Sequence, residues 1–169
     1  MLEELIKIIN KYKPKNILDL GTGSGILALE AAKHCYVDAV DIDKESLKLL
    51  KQKIKKEKIK NIKVFYSNLF NNVKRKYDLI VFNPPYLPYK SRENNENFSP
   101  EIFYKENIIK EFLLKAKYFL KEHGKVLFCF SSFSDVKEIK KALKVYKKSI
   151  LLRKERFFFE DFYVYLAEK

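Results

Sequence analysis

Asn83, Pro84, Pro85 and Tyr86 follow one another directly after the apolar run Asp78-Leu79-Ile80-Val81-Phe82. Their types suit one task, which is holding a planar amino group. The side-chain oxygen of Asn83 and the main-chain carbonyl of Pro84, fixed by two adjacent pyrrolidine rings, can each accept a hydrogen bond from one NH2 group. Tyr86 adds a flat face on which a conjugated system can stack. A second cluster sits near the start of the chain, where Ile17-Leu18-Asp19-Leu20 runs into Gly21-Thr22-Gly23-Ser24-Gly25. Glycines at every second position let the backbone take conformations that side chains forbid, and let a ligand lie against the N–H groups opening the next helix. The spacing is G-x-G-x-G, not the G-x-G-x-x-G of dinucleotide sites. Asp41 comes 20 residues after Gly21, where a carboxylate can accept both ribose hydroxyls of a nucleoside.

These residues need elements to hold them. The spacing of Leu5, Ile8, Ile9 and Tyr12 predicts a helix over residues 2–12, ended by Pro14. Asn16 to Leu20 reads as a strand, Ser24 to His34 as a helix and Val37 to Asp41 as a second strand. Asp43 is a candidate N-cap for a lysine-rich helix from Lys44 to about Lys56. Ile62 to Tyr66 and Asp78 to Phe82 read as further strands. A polar stretch from Tyr89 to Ser99 follows, then a long helix from Pro100 to about Leu120. Gly124 marks a turn, Val126 to Phe130 a fifth strand, and Asp135 to Tyr146 a helix. Ser149 to Ala167 reads as two strands turning near Glu160-Asp161. Alternation of strand and helix calls for a mostly parallel sheet covered on both faces. The last two strands have no helix between them and must form an antiparallel hairpin. The expectation is an α/β, doubly wound sheet of seven strands in one domain over 1–169, with Asn83 at the carboxyl end of the fourth strand and facing the glycine turn.

Composition narrows the function classes. The chain has 169 residues, of which 47% are hydrophobic and 34% charged, enough for a core without staples. It carries no apolar run of the ~20 residues that a bilayer span needs. Its first residues alternate charged and apolar, unlike a signal peptide. Cys35 and Cys129 are isolated, which argues against disulfides and against a C-x-x-C metal site and fits a reducing cytoplasm; no metal site is expected. Four glycines stand where roughly 12 would be average, and three of the four fall between 21 and 25. Net charge is +13, with seven lysines between Lys51 and Lys63 and six between Lys137 and Lys148. These read as solvated helix faces that permit contact with RNA or the ribosome. His34 and His123 stand alone at expected helix ends. Phe157-Phe158-Phe159 reads as part of an edge strand, or as a partner contact if exposed.

Together the strings DLGTGSG, VDAVDID and DLIVFNPPYLP resemble the class I S-adenosylmethionine-dependent methyltransferases, over about residues 16 to 167, with a Rossmann-like fold. By that resemblance Asp19, Gly21, Thr22, Gly23 and Gly25 would hold the methionine end and ribose of S-adenosylmethionine. Asp41 would take the ribose hydroxyls, with Ile42 beside it. Asn68 and Leu69 would meet the adenine, Asn68 standing where the family often has an acid. Asn83, Pro84 and Tyr86 would be catalytic, with Asn83 also lining the cofactor. The Asn-Pro-Pro-Tyr motif marks amino-group methyltransferases acting on adenine N6 or glutamine side-chain nitrogen. Its extension through Pro88 looks most like the HemK/PrmC group, which methylates the glutamine of a Gly-Gly-Gln motif in peptide-release factors. In size the chain is similar to the compact archaeal and eukaryotic type, which works with a small zinc-binding activator subunit. It differs from that type in lacking an acidic, proline-containing segment ahead of its first helix and a glycine pair near Phe103-Tyr104-Lys105-Glu106.

The resemblance implies a cytoplasmic protein-glutamine methyltransferase. Two other readings share its motifs, an N6-adenine methyltransferase acting on RNA, less readily on DNA, and a non-catalytic cofactor-binding subunit. A dinucleotide oxidoreductase fits the glycine spacing poorly.

Overall fold

The computed structural model describes residues 1–84 and 108–169. Seven strands form one sheet: β1 (Asn16–Leu20), β2 (Tyr36–Asp41), β3 (Ile62–Tyr66), β4 (Tyr77–Phe82), β5 (Leu120–Ser131), β6 (Lys148–Phe157) and β7 (Glu160–Glu168). Their order is β3-β2-β1-β4-β5-β7-β6. The first five run parallel, and β7 pairs antiparallel with both β5 and β6. This is the expected mostly parallel sheet with a terminal hairpin. The last strand in sequence inserts beside β5 and leaves β6 at the edge.

Among the described residues five helices cover the sheet: α1 (Leu2–Tyr12), α2 (Ile26–Ala31), α3 (Lys44–Lys56), α4 (Ile108–Phe119) and α5 (Val136–Leu143). Leu5, Ile8 and Ile9 of α1 pack with Ala28, Ala31 and Leu50 on one face, over Ile17, Val37, Ala39, Leu79 and Val81. Phe112, Leu113 and Ala116 of α4 pack with Ile139 and Leu143 of α5 on the other face, over Leu18, Ile80, Val126 and Phe128. Strand residues alternate between the two cores, so both faces of the sheet are apolar, as a covered parallel sheet requires. Each fully buried aliphatic or aromatic side chain there contributes roughly 1.5–3 kcal/mol. No helix among the described residues is long and apolar enough to cross a membrane.

Several expectations differ from what is found. α2 stops at Ala31 and not His34, β5 begins at Leu120 and not Val126, and α5 stops at Leu143 and not Tyr146. α2 starts at Ile26 and not at Ser24, because Gly25 is its N-cap with φ 79°. Gly124 makes no turn between elements. It lies inside β5, where the register slips between Tyr77/Leu120 and Leu79/Lys125. There a Cβ would stand 2.9 Å from the carbonyl oxygen of Lys121 and 3.0 Å from that of Tyr77. The neighbouring His123 takes φ 59° in this irregularity and so is not at a helix end. Finally, the hairpin turns at Phe158-Phe159, since Glu160 already pairs with Phe157. The expected start of α4 at Pro100, together with Pro85, Tyr86, Pro88 and Phe103 to Glu106, lies outside the described residues.

Candidate functional site

Strand register assembles the site. Leu20 stands opposite Val40 on one side and Phe82 on the other, and Phe82 is opposite Phe128. The next residues along each strand, Asp41, Gly21, Asn83 and Cys129, therefore share one row across the carboxyl ends of β2, β1, β4 and β5. At the usual strand spacing Asp41 and Asn83 are about 10 Å apart on either side of the glycine turn.

The turn is shaped to leave room. Gly21, Gly23 and Gly25 all have positive φ, at 69°, 50° and 79°. A Cβ on Gly23 would meet nothing within 4 Å, whereas one on Gly25 would stand 2.3 Å from Leu50 Cδ1. Gly23 thus borders open space, and Gly25 lets α3 pack close. The turn is held from three sides: Thr22 N–H donates to the Val40 carbonyl at 2.9 Å, Gly25 N–H to the Thr22 carbonyl at 2.9 Å, and Gly23 N–H to Asp41 Oδ2 at 2.7 Å.

Two carboxyl groups flank this turn in different surroundings. Asp41 is half-buried; its other oxygen accepts from Asp43 N–H at 2.9 Å. Each oxygen keeps a further acceptor position. Asp43, not Asp41, caps α3, accepting from Glu45 and Ser46 N–H. Asp19 is 1% exposed. Its Oδ2 accepts from the Thr22 hydroxyl at 2.6 Å, and its Oδ1 is buried with no partner among the described residues. Burial pushes the Asp19 carboxyl up to about 7, against the Thr22 hydroxyl and the Ala28 main-chain N–H, which favour the carboxylate, and nearby Asp41 raises it further. A buried orphan oxygen on a group poised at neutral pH is an open place for a cationic donor.

The loop after β3 closes the other side. Ser67 N–H donates to the Asp41 carbonyl at 3.0 Å, and the Ser67 hydroxyl donates to the Leu69 carbonyl at 2.7 Å. Leu69 is held at φ 47°, buried, while Asn68 is exposed. Ile42 is half-buried at the end of β2. Across the row, Asn83 is half-buried and Pro84 buried. Asn83 Oδ1 accepts from the Cys129 thiol at 2.8 Å. Burial raises that thiol to about 12, so it is a donor at neutral pH. The same oxygen retains a second acceptor position. Cys129 reads from sequence as core, and it is fully buried. Its hold on Asn83 depends on β4–β5 pairing and leaves no local trace in sequence.

Asp19, Thr22, Gly23, Asp41 and Asn83 are thus brought to one end of the sheet, with Ile42 and Leu69 beside them. Tyr86 lies outside the described residues. Two cavities, of about 340 and 460 Å3, share Lys13, Pro14 and Lys15 in their linings and lie toward the amino-terminal ends of β1 and β4. Neither is lined by the carboxylates, the glycine turn or Asn83.

The chain is similar to several known proteins. A protein of Methanocaldococcus jannaschii provisionally assigned as a protein N5-glutamine methyltransferase is 34% identical over 146 residues, covering 83% of this chain and 74% of that one. A release factor glutamine methyltransferase of Buchnera aphidicola is 31% identical over 168 residues, covering 80% of this chain and 60% of its own length. Among solved structures, the Mtq2–Trm112 complex of E. cuniculi, responsible for methylating the eRF1 translation termination factor, superposes with a TM-score of 0.69 at 19% identity. That match covers 99% of this chain and 93% of that one and shows a shared fold. The model of the methyltransferase small domain matches residues 3–158, and with the sheet order and the glycine turn in place, the chain belongs to the methyltransferase small-domain family.

Proposed function

We propose that this chain is an S-adenosylmethionine-dependent methyltransferase whose acceptor is a glutamine side-chain amide in a protein, a peptide-release factor. The observation that carries the reading is the placement of Asn83, followed directly by Pro84, in one row with Gly21 and Asp41. The names of the similar Methanocaldococcus and Buchnera proteins support the acceptor.

The residues present fit the cofactor. The orphan Asp19 Oδ1 suits an α-ammonium group, and the Asp41 oxygens suit vicinal ribose hydroxyls. The open space at Gly23 admits a ligand against the backbone. Ile42 and Leu69 would border the adenine, and Asn68 would accept from its amino group. When bound, S-adenosylmethionine supplies an electrophilic methyl group on a sulfonium.

The chain's own task is to ready the nitrogen. An amide nitrogen is a poor nucleophile because its lone pair is delocalised. Asn83 Oδ1 and the Pro84 carbonyl each accept from one hydrogen of the NH2 group, drawing the nitrogen toward a pyramidal shape. Positive charge developing on the nitrogen then meets two fixed acceptors, and positioning and electrostatics carry the rate. No base is needed beforehand, since the proton becomes acidic after transfer. The Mtq2–Trm112 neighbour supports a small activator subunit as a partner.

The test is a radiolabelled-methyl transfer in cell extract, split between protease and nuclease. Label lost to protease and running at release-factor size is expected. Label lost to nuclease instead would overturn the acceptor in favour of adenine.

A further inference from the structure

The β6–β7 hairpin breaks the usual rule for its turn. Phe157 pairs with Glu160, leaving Phe158 and Phe159 as a two-residue loop. Such loops favour Asn, Asp and Gly, which tolerate positive φ. Here Phe158 takes φ 52°, a conformation unfavourable for a bulky side chain. Phe158 and Phe159 are each 96% exposed, and Phe157 is 56% exposed. Local strain together with exposed aromatic surface, with no packing among the described residues to offset it, is what a sequence carries for function.

The hairpin is anchored at the base of its tip. Asp161 accepts from Arg156 Nε at 2.7 Å and from Lys154 Nζ at 3.1 Å. Its main chain is tied to the end of β5: Ser132 N–H donates to the Asp161 carbonyl at 2.7 Å, and Asp161 N–H donates to the Ser132 hydroxyl at 3.0 Å. Phe133, 57% exposed, follows on that loop.

Direction settles where this tip points. Ser131, at the carboxyl end of β5, stands opposite Phe162, near the start of β7. The tip therefore projects from the same end of the sheet as Asn83. Three strand spacings separate β4 from β6, about 14 Å, and the tip stands five residues beyond Val164, which is level with Asn83 through Cys129, about 16 Å along the strands; the resulting ~20 Å can be spanned by one protein interface of standard size. Phe133 follows the end of β5, a strand that stands between β4 and β6 in the sheet order.

We propose that Phe158 and Phe159, with Phe157 and Phe133, form the docking contact for the folded protein that carries the methyl-accepting glutamine; this rests on the function proposed above. Two exposed rings bury at most a few hundred Å2, short of the ~800 Å2 per partner of a stable dimer. They suit the anchor of a transient contact completed by the active site. The tip carries no net positive charge for an anionic membrane surface: over residues 153–161 Arg153, Lys154 and Arg156 are balanced by Glu155, Glu160 and Asp161.

The double variant Phe158→Asn, Phe159→Gly tests this, using enzyme isolated with whatever subunit co-purifies and purified release factor as acceptor. It installs favoured turn residues, so the fold should be as stable as the parent or more so. The expected result is a KM for release factor raised at least tenfold, with kcat and S-adenosylmethionine affinity within twofold. An unchanged KM overturns the inference and leaves the glutamine reading intact. A loss of concentration-dependent self-association or of binding to phosphatidylcholine–phosphatidylserine vesicles, with KM unchanged, assigns the tip to a second copy or to a membrane and likewise overturns it. Parent enzyme that fails to methylate release factor removes the underlying reading, and this occupant with it.

Discussion

Asn83 carries the chemistry in this account, and its oxygen is already half used by the Cys129 thiol. Removing the side chain takes away an acceptor that acts on developing charge, an effect on the order of 100-fold or more in rate. Asn83→Ala is expected to lower kcat by that amount while S-adenosylmethionine affinity, read by calorimetry, changes less than threefold. Lost cofactor binding with kcat otherwise intact would contradict the role. Asp19 makes a second prediction. Its folded-state pKa is raised from 3.8 to about 7, so the folded state holds a proton that the unfolded chain gives up. The contribution to stability is complete below pH ~4 and is lost as pH rises through ~7. Asp19→Asn should therefore gain stability relative to the parent as pH goes from 4 to 8, measured by denaturant titration at each pH. An α-ammonium at Oδ1 favours the carboxylate, so cofactor affinity should weaken below pH 7 by up to about tenfold per unit. A flat affinity profile from pH 5 to 8 would remove Asp19 from the site.

Elements are where local signals and long-range packing part company. α3 and β3 have the bounds that the sequence predicts, and Asp43 caps α3, because capping and apolar period are local facts. Gly25 shows the other case. Its positive φ and the 2.3 Å approach a Cβ would make to Leu50 belong to the fit of α3 against the turn, and so shorten α2 in a way that Ser24 and Gly25 alone do not announce. Gly25→Ala is expected to destabilise the fold by about 1–3 kcal/mol, seen in denaturant midpoints, and to loosen the Gly23–Asp41 bond that shapes the cofactor end. A cost below 0.5 kcal/mol would show that α3 is free to shift. The Phe158-Phe159 turn is equally illegible, since nothing in two phenylalanines signals a hairpin, whereas the polar Glu160-Asp161 next to it does. The Cys129–Asn83 bond joins residues 46 apart in sequence, and pairing of β4 with β5 alone brings them together.

For the whole molecule, sheet order and chain direction turn separate motifs into one end of a sheet. The glycine turn, Asp41 and Asn83 were readable as chemistry, and alternation of strands and helices as a doubly wound sheet. The insertion of β7 between β5 and β6, which aims the aromatic tip toward the same end, needed coordinates. The charge of +13 fits several partners and decides among none. The acceptor is what the account stakes most on. Purified enzyme, release factor and S-adenosylmethionine should be incubated, and the product digested and sequenced by tandem mass spectrometry. One added methyl is expected on the side-chain nitrogen of the Gly-Gly-Gln glutamine, absent with Asn83→Ala. A methyl on any other residue, or on RNA carried with the preparation, would contradict it.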